Sequence, residues 1–109
     1  MESFVRGDIV VVPFPFSDLS SSKKRPALVL ANLKGDLILS QITSKTVFDS
    51  YSIHIGTNDL INGSLNIESN VRLSNIFTAD KKIVLYKIGN LSDEKIKEVI
   101  NKVIEVFTT

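Results

Sequence analysis

The residues with most chemistry to offer lie at two points of the chain, Lys23-Lys24-Arg25-Pro26 and Gln41-Ile42-Thr43-Ser44. The first is the densest cluster of cations. Its proline fixes its own φ and pushes Arg25 toward extended backbone. An arginine held at the rigid end of a polar loop can present its planar guanidinium to a phosphate in a fixed direction. The same cations would also serve simply to keep an exposed loop solvated. The second point ends an apolar run in two hydroxyls, which can bond a phosphate oxygen or terminate a strand by bonding local backbone. The lone histidine, His54, sits in the alternating run Tyr51-Ser52-Ile53-His54-Ile55. There it reads first as a strand histidine with satisfied hydrogen bonds, and second as a proton-transfer group. No P-loop, Gly-rich dinucleotide turn, H-E-x-x-H motif or nucleophile elbow occurs. The acidic residues are scattered without the spacing of a metal cage, so neither a metal nor another cofactor is expected.

These residues need elements to hold them. Asp8 to Phe16, rich in β-branched and aromatic residues, reads as a strand. Pro13 and Pro15 cannot donate to a ladder, so its second half should be an edge. Residues 17–24 are small and polar and read as a mobile surface loop. Pro26 to Leu33 and Leu37 to Thr43 flank the Lys34-Gly35-Asp36 turn and predict a hairpin. In that register the ends far from the turn, Arg25-Pro26 and Thr43-Ser44, lie together, which puts a cation and a hydroxyl at one rim of the sheet. Tyr51 to Ile55, Ser69 to Phe77 and Ile83 to Ile88 are further strands. Residues 56–64 read as loop with one helical turn. Ser92 is an N-cap, with Asp93 and Glu94 in the first turn. Ile96, Val99, Ile100, Val103, Ile104 and Phe107 then recur at spacings of three and four, predicting a helix that packs one face on the sheet. Short strands closed by one terminal helix predict a mainly β (α+β) fold, a small barrel with the helix against it.

Length and composition bound the function. At 109 residues there is room for one domain, spanning 1–109. Cysteine is absent, so disulfides and thiolate–zinc sites are excluded. The segment Met1 to Arg6 has no apolar run of signal-peptide length, and no stretch approaches the ~20 apolar residues that cross a bilayer, which predicts a cytoplasmic protein with no membrane partner. A net charge of +1 is unlike that of a dedicated duplex-DNA binder.

The ordered set of motifs resembles the MazF/PemK toxins of type II toxin–antitoxin systems. The matching text is Arg6-Gly7-Asp8-Ile9-Val10, Val12-Pro13-Phe14-Pro15-Phe16-Ser17-Asp18-Leu19, Ser22-Lys23-Lys24-Arg25-Pro26-Ala27-Leu28-Val29-Leu30 and Gln41-Ile42-Thr43-Ser44. Ser69-x-Val71-Arg72, Thr78-Ala79-Asp80 and Ile88-Gly89-x-Leu91-Ser92 follow. The resemblance implies an SH3-like β-barrel with a C-terminal amphipathic helix, forming a homodimer that cuts single-stranded RNA at short sequences without a metal. It implies that the arginine before the proline and the hydroxyl closing the third strand, here Arg25 and Thr43, carry catalysis. Ser22, Lys23, Lys24, Ser44, Arg72 and Asn75 would then contact RNA. It also implies a cognate antitoxin, part of it disordered when free, that blocks the RNA groove. The chain departs from the commoner pattern in reading Asn75-Ile76-Phe77-Thr78 where many members carry a Gln-Ile-Arg-Thr-type segment, and Ser21 where loop glycine is frequent. Arg72 is a substitute for the missing arginine. The second functional class is a non-catalytic binding module on the same barrel, or a toxin that poisons a protein target such as DNA gyrase.

Overall fold

The computed structural model describes residues 3–15 and 22–109. Its strands are β1 (Asp8–Pro15), β2 (Ser22–Leu33), β3 (Asp36–Thr43), β4 (Ser52–Ile55), β5 (Leu60–Gly63), β6 (Ser69–Asp80) and β7 (Tyr86–Leu91), followed by the helix α1 (Asp93–Phe107). Short 3-10 turns at Thr57–Asp59 and Lys81–Ile83 lead into β5 and toward β7. The strands form one curled antiparallel sheet in the order β4-β6-β3-β2-β1-β7-β5. The expected mainly β, barrel-like fold with a single terminal helix is what the chain adopts. Among the described residues no helix is long and apolar enough to cross a membrane.

The run Ile9-Val10-Val11-Val12 is apolar without alternation because β1 lies within the sheet and is covered on both faces. Ile9 packs with Leu28, Ile42, Leu91 and Val99 on the helix side. Val10, Val12 and Phe14 pack with Phe4, Ala27, Val29 and Leu39 on the other. Strand β7 accompanies β1 only from Asp8 to Val11. Beyond that point β1 has β2 on one side alone, so Pro13 and Pro15 fall on a one-sided half, as their missing N–H groups require.

The hairpin of β2 and β3 turns at Lys34 (φ 58°) and Gly35 (φ 104°). Two successive positive-φ residues make a tight turn whose twist suits the flanking strands, and glycine takes the second place without a Cβ clash. The Asn32 side chain accepts a hydrogen bond from the Gly35 N–H at 2.9 Å and fixes it. The register that follows pairs Leu33 with Asp36, Val29 with Leu39 and Ala27 with Gln41.

Four expectations are corrected. Ser22 to Lys24 belong to β2, not to a loop, because Pro13 to Pro15 offer them backbone partners; residues 17–21 lie outside the described residues. Leu60 to Gly63, read as loop, form an edge strand on β7. The last strand starts at Tyr86 because Lys81–Ile83 is a 3-10 turn capped by Asp80, whose side chain accepts from Lys82 N at 2.8 Å. On α1 the stripe that meets the core is Ile96, Val99, Val103 and Val106. Ile104 and Phe107 lie off that stripe and are exposed. The N-cap holds: Ser92 Oγ accepts from Lys95 N at 3.3 Å.

Candidate RNA-cleavage site at the rim of the sheet

The β2–β3 pairing runs as far as Ala27 and Gln41, and Arg25 and Thr43 each lie two residues beyond that pair. Both are half-buried. They line one cleft of about 260 Å³ together with Lys24, Pro26 and Ser44 on the strand side. Leu65, Asn66 and Ile67, from the segment joining β5 to β6, and Ser69 at the start of β6 close the opposite wall. The cation and the hydroxyl therefore meet in the same recess.

Thr43 is oriented by its own loop. Its Oγ1 accepts a hydrogen bond from Lys45 N at 3.2 Å. A hydroxyl that accepts in this way keeps its hydrogen free to donate elsewhere. Thr43 also borders a second recess of about 270 Å³, lined by Lys45, Thr46, Val47, Phe48, Asp49 and Arg72.

Arg72 reaches that second recess through an irregularity in the sheet. Strand β3 pairs regularly with β6 from Asp36–Asp80 to Ser40–Ile76, and the register then jumps so that Gln41 faces Arg72. The extra residues of β6, Leu73 to Asn75, have no partner on β3 and form a bulge, with Leu73 kept in the core. Ser40, fully buried, donates its hydroxyl to the Arg72 carbonyl at 2.6 Å and clamps the bulge. Asn75 Nδ2 donates to Gln41 Oε1 at 2.6 Å across it. Among the described residues the Nε of Arg72 is buried and has no hydrogen-bond partner.

Of the residues singled out in the sequence, Lys24, Arg25, Thr43 and Ser44 share the first cleft and Arg72 adjoins it. Lys23 is exposed on β2 opposite Phe14 and lines neither recess, and Asn75 is engaged with Gln41. Ser22 pairs with Pro15 through the backbone, and its side chain lies outside the described residues. His54 is exposed on the edge strand β4, with its Nε2 3.4 Å from Glu68, and lines neither recess. Among the described residues no carboxylate or imidazole lines the Arg25–Thr43 cleft, and Asp49 lines the second recess. Among the described residues no three His, Cys, Asp or Glu side chains cluster so as to hold a metal ion. Sequence reasoning missed Phe48 and the 65–69 wall. The signal for Phe48 was present: a phenylalanine in the short, largely polar stretch between β3 and β4.

A curled β-sheet with one packed helix, and a cation and a hydroxyl sharing a cleft at its rim, define a small barrel-like protein. The chain belongs to the PemK-like, MazF-like toxins of type II toxin–antitoxin systems, whose family model matches residues 5–107. Solved structures agree in fold. An endoribonuclease from a Mycobacterial species, in complex with its cognate antitoxin, superposes with a TM-score of 0.78 at 14% identity, covering 97% of this chain and 96% of the other. MazF in a MazE–MazF structure from Deinococcus radiodurans gives 0.78 at 16% identity, with 100% and 99% covered. The Mycobacterium tuberculosis toxin MazF-mt6 gives 0.73 at 20% identity, with 93% and 96% covered. No curated protein matches the chain significantly.

Proposed function

We propose that the chain is an endoribonuclease toxin that cuts single-stranded RNA in the cytoplasm without a metal ion. The 2′-OH of one nucleotide attacks the neighbouring phosphorus, the bond to the 5′ oxygen breaks, and that oxygen takes up the proton the 2′-OH gives to solvent. The products are a cyclic phosphate and a free 5′-OH. In such a reaction the protein has to hold the reacting groups in line and stabilise the charge that builds on phosphorus. Arg25 binds the non-bridging oxygens of the scissile phosphate and offsets the charge on the departing oxygen. It does so as a cation throughout, because guanidinium stays protonated in proteins. Thr43 donates its free hydroxyl hydrogen to a phosphate oxygen in the transition state. Lys24 and Ser44 hold the backbone on either side, with Ser22, Lys23, Arg72 and Asn75 as further RNA contacts.

The observation that carries this reading is the meeting of Arg25 and Thr43 in one cleft in a chain of this toxin family. A cognate antitoxin would silence the toxin by occupying that groove, and two subunits would build the groove together. The structurally similar mycobacterial endoribonuclease in complex with its antitoxin supports the partner.

The test is cleavage of a long unstructured RNA in EDTA. Wild type should cut it, Arg25→Ala should cut about 10²–10³-fold more slowly, and a 2′-deoxy nucleotide at a mapped cut position should block cleavage there while leaving binding. Intact RNA after incubation with folded wild-type protein would remove the nuclease reading and favour a module that only binds.

A further inference from the structure

Phe48 is 95% exposed, although the loop that carries it is tied down at both ends. At the start, Lys45 N donates to Thr43 Oγ1 at 3.2 Å and the Lys45 carbonyl accepts from Asn70 Nδ2 at 3.3 Å. At the end, Asp49 Oδ1 accepts from Tyr51 N at 2.9 Å. A phenyl ring held in water by a pinned loop serves no packing purpose, and leaving it there forgoes the free energy of burial. Around it stand Lys45, Asp49 and Arg72, so this recess combines an aromatic face with cations and a carboxylate. Thr43 is common to it and to the Arg25 cleft.

We infer that this second recess is a nucleobase subsite, in which Phe48 stacks on the base of a nucleotide next to the scissile phosphate. The inference rests on the nuclease reading above. Its volume, about 270 Å³, falls just below the ~300–1,000 Å³ of pockets that enclose a drug-sized ligand, which suits one base and not a length of chain. Stacking on an aromatic face is available to every base, whereas edge recognition is not. The edge is met by Arg72, which lines the recess and whose guanidinium offers N–H donors to a base carbonyl or phosphate oxygen. The Asp49 carboxylate can accept from an exocyclic amine. A subsite so built makes cleavage depend on the identity of one flanking base, and Arg72 and Asp49 are the residues that read it.

The experiment uses the full chain and a short RNA centred on its most frequent cut, made non-cleavable by a 2′-deoxy sugar at that position. Abasic sites are placed one at a time around the cut, and affinity is measured for wild type, Phe48→Ala and Phe48→Tyr. Wild type and Phe48→Tyr should lose about ten- to a hundredfold in affinity at one flanking abasic position. Phe48→Ala should bind the intact RNA that much more weakly and be indifferent to the abasic site there. Thermal melts check that the variants are folded. Equal sensitivity of wild type and Phe48→Ala at every position would overturn the inference and leave the ring as a contact for a protein partner. If that result comes with normal cleavage of unmodified RNA, the nuclease reading survives and only the subsite falls. If wild type neither cuts nor binds RNA, both fall.

Discussion

Arg25 and Thr43 do different work in the proposed reaction, and substitution separates them. Arginine presents a planar fork that can hold two phosphate oxygens at once, whereas lysine offers a point charge on a flexible stem. Arg25→Lys should therefore recover RNA binding better than cleavage, which filter binding and single-turnover kinetics would show side by side. Thr43→Val keeps the shape of the side chain and removes the hydroxyl. A loss of about 10²-fold in single-turnover rate is expected, with Thr43→Ser retaining most of the activity because it keeps the bond from Lys45 N. Full activity in Thr43→Val with loss in Thr43→Ser would mean that the methyl group, and not the hydroxyl, matters. Asp8 shows that a buried charge in this chain need not be functional. Its carboxylate is 2% exposed, accepts from Val5 N at 3.0 Å and lies 3.6 Å from Lys87 Nζ. Those bonds tie the start of β1 to β7 and give Asp8 a structural role.

At the level of elements, the bulge in β6 is what carries Arg72 to the rim. Replacing Ser40 by alanine removes the buried hydroxyl that bonds the Arg72 carbonyl. Loss of one such bond should cost about 1–3 kcal/mol in a denaturant melt. Cleavage should fall further than this stability loss explains, since Arg72 and Asn75 both lose their reference point. The edge strand β5 depends on Gly63, at φ 81°, where an added Cβ would run into the Ile88 carbonyl oxygen. That strand was unreadable because Leu60 and Ile61 are the only apolar residues among the Gly, Asn and Asp turn formers of Gly56 to Ser64. Its extended form is imposed by β7, with the Thr57–Asp59 turn at its start and Lys95 of α1 3.8 Å from Asp59. By contrast the N-terminus of α1 was readable from Ser92 and the acids after it. Ser92→Ala should cost about 1 kcal/mol in the same melt.

For the molecule as a whole, the balance of charge sets how it meets RNA. The net charge is only +1, yet the rim gathers Lys24, Arg25, Lys45 and Arg72 around two adjoining recesses. Binding should weaken as salt rises, because each phosphate contact releases condensed counterions. Lys24→Ala should lower the slope of log affinity against log salt by roughly one contact's worth and leave the cut sequence unchanged. The proposed homodimer would double this cluster along one groove and cover apolar residues that a single copy leaves in water. Val5, Leu33, Leu85 and Tyr86 are each about half exposed or more. Light scattering at micromolar concentration should return twice the 12.1 kDa chain mass, and a monomer would remove the shared groove.

What the chain determines by itself is what depends on near neighbours. The unbroken apolar run of β1, the Lys34-Gly35 turn with its register, and the three-and-four spacing of α1 are local signals, and local backbone preference and burial suffice to realise them. Because the hairpin register is local, even the approach of Arg25 to Thr43 could be reasoned from the amino-acid order. The 65–69 wall, the bulge that delivers Arg72 and the bond from Asn70 that anchors the Phe48 loop at Lys45 all arise from contacts between segments far apart in sequence. Such contacts are selected by the closing of the whole sheet over its two cores. Only the tertiary structure decides them, and so it turned a cation and a hydroxyl at one rim into a site with walls and a neighbour.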